Sequence, residues 1–194
     1  MLIRIISVIL AVTVLAGSGF FAYQKFSKKE SVVAVMPVEK NYFEINDETS
    51  GVFFRVSKNF DRMTAQELQV KNPAFMYGFT TKSDKTAYCV ISQTKRDKPG
   101  GVKATDLRDG VLAQVKKSFP DTSLESASVV EVGDQNNGIK IVMNYTDNKM
   151  PTAQQEVVGI TDKTATFAFC MSPKAVLDLY QDDFNLFLNS LKIK

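Results

Sequence analysis

The chain has 194 residues, with 24 basic and 21 acidic side chains, two cysteines, no histidine and 44% hydrophobic content. Four basic residues and one acidic residue fall in positions 1–30, so residues 31–194 carry twenty of each sign, and a domain so balanced has no field to draw in nucleic acid. Without histidine, Ser-His and Cys-His catalysis lose their usual base, and two cysteines cannot complete a normal structural zinc site. The sequence therefore assigns no catalytic residue, no metal ligand and no cofactor.

Residues 5–23 form a nineteen-residue run without a charge, followed at once by Gln24, Lys25, Lys28 and Lys29. At about 1.5 Å of rise per residue this is roughly 28 Å of helix, close to the hydrocarbon thickness of a bilayer. The competing reading is a cleaved secretory signal, for which Arg4, the apolar stretch and Ala16-Gly17-Ser18-Gly19 are serviceable parts. The apolar run continues past those small residues to Tyr23, which favours a retained single-span anchor over residues 1–24. Ser18 stands where a lipoprotein signal would need cysteine, so no lipid is attached at that site. The lysines after the span argue for a cytoplasmic domain and the short amino-terminal tail for an exported one; the reading leans to export.

Residues 25–41 read as a tether, in which residues 32–36 are apolar enough to add a strand before Pro37. A single α+β domain is expected over residues 42–194. It opens with strands at residues 42–45 and 51–56, joined by a turn-rich stretch. Thr64 to Glu67 has capping-box spacing and predicts a short helix at 65–70. Strands follow at 74–80 and 86–93. Leu107, Val111, Val115 and Phe119 recur every four residues, with Thr105 as expected cap, acids in the first turn and lysines in the last, and so predict a helix. Hairpins then join strands at 129–132, 139–145, 155–160 and 164–171, with Asn137-Gly138 expected to supply the positive-φ pair of a tight turn. Ser172-Pro173 is expected to start a last helix, whose face is Val176, Tyr180, Phe184, Phe187 and Leu191.

This order of elements, the opening stretch Gly51-Val52-Phe53-Phe54-Arg55-Val56-Ser57-Lys58-Asn59-Phe60 and the closing Leu188-Asn189-Ser190-Leu191-Lys192 resemble the PsbP-like family. That family is an α/β/α sandwich shared by photosystem PsbP proteins, Ran-binding Mog proteins and DcrB-type envelope proteins. Ser57 stands where the family often has proline. The resemblance implies an antiparallel sheet flanked by helices and an accessory or binding role without common catalytic residues. Membrane-anchored secretion domains of the VirB type lead with helices, whereas this domain leads with strands.

Cys89 and Cys170 both lie inside predicted strands. They are either a disulfide, if those strands are neighbours in an exported domain, or two buried thiols; strand geometry seldom brings cysteines to bonding distance, which favours thiols. Lys95, Arg96, Lys98, Gly100, Gly101 and Lys103 form a basic, glycine-containing loop before a helix. It lacks phosphate-loop spacing and is the best sequence candidate for a partner contact. Asp134, Asp147 and Asp162 fall in successive turns, where aspartate is simply a good turn residue. The leading expectation is a membrane-anchored, non-enzymatic accessory domain that engages a protein partner at the membrane surface. The alternative is a small-molecule or lipid carrier with a pocket between sheet and helix, lined by residues such as Phe75, Tyr77, Phe79 and Phe184. A deep apolar cavity favours the carrier.

Overall fold

Side-chain alternation in four long strands decides the layers. In β10, Ala168 and Cys170 point to one side of the sheet and Phe167, Phe169 and Met171 to the other, as the period of two demands. A computed structural model describes residues 34–37, 41–97, 101–133 and 136–194, with 34–37 and 136–137 taken as backbone only. The span at 5–23, most of the tether, Lys98, Gly100 and Asp134 lie outside the described residues. Among the described residues no helix is long and apolar enough to cross a membrane.

The strands are β1 (Ala34–Pro37), β2 (Tyr42–Asp47), β3 (Val52–Ser57), β4 (Phe60–Arg62), β5 (Phe75–Thr81), β6 (Tyr88–Lys95), β7 (Ser123–Gly133), β8 (Asn136–Asp147), β9 (Met150–Ile160), β10 (Thr164–Pro173) and β11 (Lys192–Ile193). The helices are α1 (Ala65–Lys71), α2 (Ala104–Ser118) and α3 (Leu177–Asn189). Four strands form a small sheet in the order β1-β2-β3-β11, and seven form the main sheet in the order β4-β5-β6-β10-β9-β8-β7. All pairings are antiparallel. The first strand lies inside the stretch read as a tether, at its apolar segment, and pairs with β2 from Ala34↔Asn46 to Pro37↔Phe43.

The small sheet and α3 cover one face of the main sheet. Their shared core contains Phe54, Tyr77, Phe79, Phe184, Phe187 and Leu188. Phe54 is fully buried and meets Tyr77, Phe79 and Phe187 edge to face at centroid distances of 5.2, 5.9 and 5.4 Å, an arrangement that adds to the burial energy. At its end α3 is tied to β3, because Ser190 Oγ accepts from the Arg55 amide at 2.8 Å and donates to the Phe187 carbonyl at 3.1 Å. Helix α2 covers the other face, its Leu107 and Val111 packing on Ile139, Ile141, Met143 and Phe167. The result is an α+β fold with an antiparallel sheet flanked by helices.

The predicted periodicities of α2 and α3 hold, and the Thr64/Glu67 capping box is complete. Three local expectations are corrected. Lys103, not Thr105, precedes α2, without a side-chain cap. Ser172 and Pro173 remain in β10, paired with Ala153 and Thr152, and a 3-10 turn at Lys174–Val176 intervenes before α3; the ladder bonds of β9 hold the chain extended past the proline. Gly138 lies within β8 opposite Gly159 and Val130, where its lack of a side chain serves close approach: a Cβ would sit 2.6 Å from the Val158 carbonyl oxygen and 2.9 Å from a Val132 methyl. The positive-φ pair occurs one hairpin later, at Asn148 and Lys149 (φ 48° and 67°), between β8 and β9.

Candidate functional site

Beneath the C-terminal half of α2 the packing opens into a cavity of about 220 Å³. The helix contributes Val111, Gln114, Val115 and Ser118, with Phe119 just beyond it, and the sheet supplies the floor. Ser118 is exposed while Gln114 and Asp147 are half-buried, so the cavity opens to solvent at that end of the helix. The Phe119 ring stacks on Tyr145 at 4.3 Å. Phe169 meets Tyr88 edge to face at 6.5 Å, and Lys71 of α1 places its Nζ 3.9 Å from the centre of the Tyr88 ring on its way past.

The floor is polar where a core would be apolar. Gln154 and Glu156 alternate with Gln155 in β9, so the first two share the α2 face with Val158. Tyr145 donates its hydroxyl to Gln154 Oε1 at 2.7 Å, and Gln154 Nε2 donates to Glu156 Oε2 at 3.0 Å. Glu156 is 5% exposed and forms no salt bridge among the described residues. Burial disfavours its charged form and raises its pKa to about 7, against a smaller downward pull from Gln154. Burial likewise pushes Tyr88 up to about 12, with the Asp147 charge adding to it. Ser92 in β6, 1% exposed, lines the same cavity, and its hydroxyl has no hydrogen-bond partner. A buried polar atom left unanswered costs free energy, and Ser92 shares that state with Thr94, Asn144 and Ser172, which lie outside the cavity lining.

Most sequence-derived candidates lie elsewhere. Cys89 and Cys170 are directly opposite in the β6–β10 register and are joined as a disulfide, with Cα atoms 4.0 Å apart and a sequence separation of 81. The bond faces α3, on the far side of the sheet from the cavity. Lys95 and Arg96 sit at the end of β6, where Arg96 Nη1 donates to the Thr161 carbonyl at 2.6 Å; with Gly101 and Lys103 they border the N-terminus of α2, the opposite end from the cavity mouth. Of the four aromatics proposed to line a pocket, Tyr77, Phe79 and Phe184 are core residues on the α3 face, and Phe75 packs on Phe169 from 5.7 Å. A pocket between sheet and helix does exist, but under the other helix. Asp147 belongs to its lining, which its place in a turn did not suggest. Gln154 and Glu156 gave no such signal, because Gln154-Gln155-Glu156 is an unbroken polar triplet at the edge of an apolar run.

A second depression, of about 340 Å³, lies beside α3 between β7, β8 and β9. Its polar groups answer one another: Lys140 Nζ donates to Asn185 Oδ1 at 3.1 Å, and Gln155 Nε2 to Gln181 Oε1 at 2.8 Å. Among the described residues no three histidine, cysteine, aspartate or glutamate side chains form a group able to hold a metal ion.

Neither a protein-family profile nor a curated protein matches the sequence. The fold is matched by solved structures. The solution structure of cyanobacterial PsbP (CyanoP) from Synechocystis sp. PCC 6803 superposes with a TM-score of 0.61 at 12% identity, over 84% of this chain and 99% of that one. LpqN of Mycobacterium tuberculosis, involved in cell envelope biogenesis, follows with a TM-score of 0.53 at 14% identity, over 74% of this chain and 83% of that one. At such identities the likeness is one of fold: the chain has the PsbP-like arrangement.

Proposed function

We propose that the chain is a non-enzymatic accessory domain of the cell envelope, anchored through residues 5–23 with its folded part on the exported side, and that its working site is a small-molecule pocket beneath α2. The observation that carries this reading is the cavity with the buried, partnerless Ser92 hydroxyl and the uncompensated Glu156 carboxyl in its lining. The cavity presents one deeply buried acid with amide and hydroxyl neighbours, and no side chain in its lining pairs a nucleophile with a base. Such a set holds a ligand rather than transforms one. The disulfide supports an exported location, since such bonds persist in oxidising compartments. The fold shared with an envelope protein, LpqN, is compatible with it.

The reading is tested on the full-length protein purified from its native membranes, by solvent extraction and mass spectrometry. A small molecule is expected in near-equal amount to the protein, and Val115→Trp, which fills the cavity, should remove it. Empty extracts from both proteins would count against the pocket as the working site.

A second reading, engagement of a protein partner, is favoured by β7. This eleven-residue strand ends the main sheet, with Leu124 and Val129 42% and 62% exposed, so it offers its outer edge to an extended segment of another protein. The basic loop around Lys95 to Lys103 is a further contact surface under that reading. Crosslinks from a photoreactive residue at position 129 to one recurrent protein would support it.

A further inference from the structure

The cavity has a charge and a wall composition that select among ligands. Two carboxyl groups line it, Glu156 at the floor and Asp147 toward the mouth, and no lysine or arginine does. On the floor the Tyr145 phenol donates to Gln154, and one of the two Gln154 amide hydrogens goes to Glu156. The charge that an incoming molecule meets is negative, from Glu156 and Asp147, beside the Tyr88 and Ser92 hydroxyls, which can donate or accept. Tyr88, Phe119, Phe167 and Phe169 supply aromatic walls, which attract cations through their ring faces and shelter an apolar chain.

We infer that the pocket binds a small amphiphile with a protonated amine head, the ammonium seated against Glu156 and the apolar tail running along the aromatic walls toward the mouth. The inference rests on the pocket being the working site. It follows from charge matching: an ammonium brings the counter-charge that the buried carboxylate lacks, whereas an anionic head meets two acids.

Octylamine, octanol and octanoate share a tail and differ in the head, so they separate the parts of the inference. Binding to the full chain is measured at pH 8 and pH 5.5, with Ser118→Trp at the cavity mouth as the reporter, since the natural chain has no tryptophan. At pH 8 octylamine should bind at least tenfold more tightly than octanol, and octanoate most weakly. The titratable groups that face the pocket are Glu156, Asp147, Tyr88 and Tyr145, and α2 contributes none to its lining; Lys71 lies behind Tyr88. The amine's advantage should therefore shrink at pH 5.5, where Glu156 is protonated, and vanish in Glu156→Gln, with octylamine losing far more affinity than octanol. Equal binding of all three probes, each displaced by the others and by Val115→Trp, would overturn the amine assignment and leave the pocket standing. Absence of binding by any of them, or binding that Val115→Trp leaves intact, would overturn both.

Discussion

The two faces of the main sheet are built from the same strands and serve opposite ends. Toward α3, β6 and β10 present Cys89, Ile91, Ala168 and Cys170 to a layer of interlocked rings. Toward α2, alternate positions of those strands and of β9 present Tyr88, Ser92, Phe169, Gln154 and Glu156 to a cavity. One face is closed by shape and a covalent bond; the other keeps a space and holds a carboxyl at a pKa that no stability argument favours. Under the proposed function, the alternation of a strand separates stability from binding, so a substitution one residue along should move from one property to the other.

The largest test of that division is Phe184→Ala on the α3 side against Phe169→Ala on the α2 side. Phe184 is fully buried, and its loss should cost about 3–5 kcal/mol. Phe169 is half-buried at the cavity wall and should cost less than about 2 kcal/mol while weakening ligand binding. Denaturant titration reads the first difference and probe titration the second; equal costs would break the comparison. Next comes the Cys89→Ser, Cys170→Ser pair. Removing a cross-link between residues 81 apart should cost about 2–4 kcal/mol, seen as a lower Tm that reductant no longer changes, with probe affinity retained.

An effect of comparable size and opposite sign is expected at Glu156. Its folded pKa is raised from 4.5 to about 7, so the stability it contributes is fully present below about 4.5 and lost as pH rises through about 7. Glu156→Gln should therefore stabilise the empty protein by roughly 3 kcal/mol at pH 8 and by nothing at pH 4, measured as the pH dependence of unfolding. The smallest concerns Tyr77, which donates to Asp47 Oδ2 at 2.7 Å. Burial pushes the Asp47 carboxyl up, but bonds from Tyr77, Ser50 and Thr49 outweigh it and leave it below its usual range. Its stabilisation is present above its unfolded pKa and lost as pH falls through the lower folded one. Tyr77→Phe should cost about 1–2 kcal/mol and move the acid-unfolding midpoint to higher pH.

Much of the fold was legible because it is written in short-range pattern. The four-residue spacing of Leu107 to Phe119 and the Thr64/Glu67 box each specify a helix from neighbours alone. The meander likewise follows from turn residues between apolar runs. The pairing of β6 with β10 has no such local signature, since two strands far apart in sequence meet only through the tertiary fold, and the cysteine reading stayed open for that reason. Glu156 was missed because Gln154-Gln155-Glu156 looks like the polar margin of a strand until both faces are known to be covered. Gly138 misled because glycine serves turns and close packing alike, and only the position of Val132 and the Val158 carbonyl tells which.

The disulfide also decides how the domain carries load. Every other neighbouring pair in the main sheet is joined by a connection of modest length, but the Cys89–Cys170 bond bridges the stretch that contains α2, β7, β8 and β9. If the chain is pulled from its two ends, tension runs into β6, crosses the sulfur bridge and leaves along β10. The segment between the cysteines, which contributes Val115, Tyr145 and Glu156 to the cavity, hangs beside that line of force as an unloaded loop. In the oxidised protein most of the cavity lining is thus off the line of tension, with Tyr88 and Met171 the exceptions just outside the cysteines.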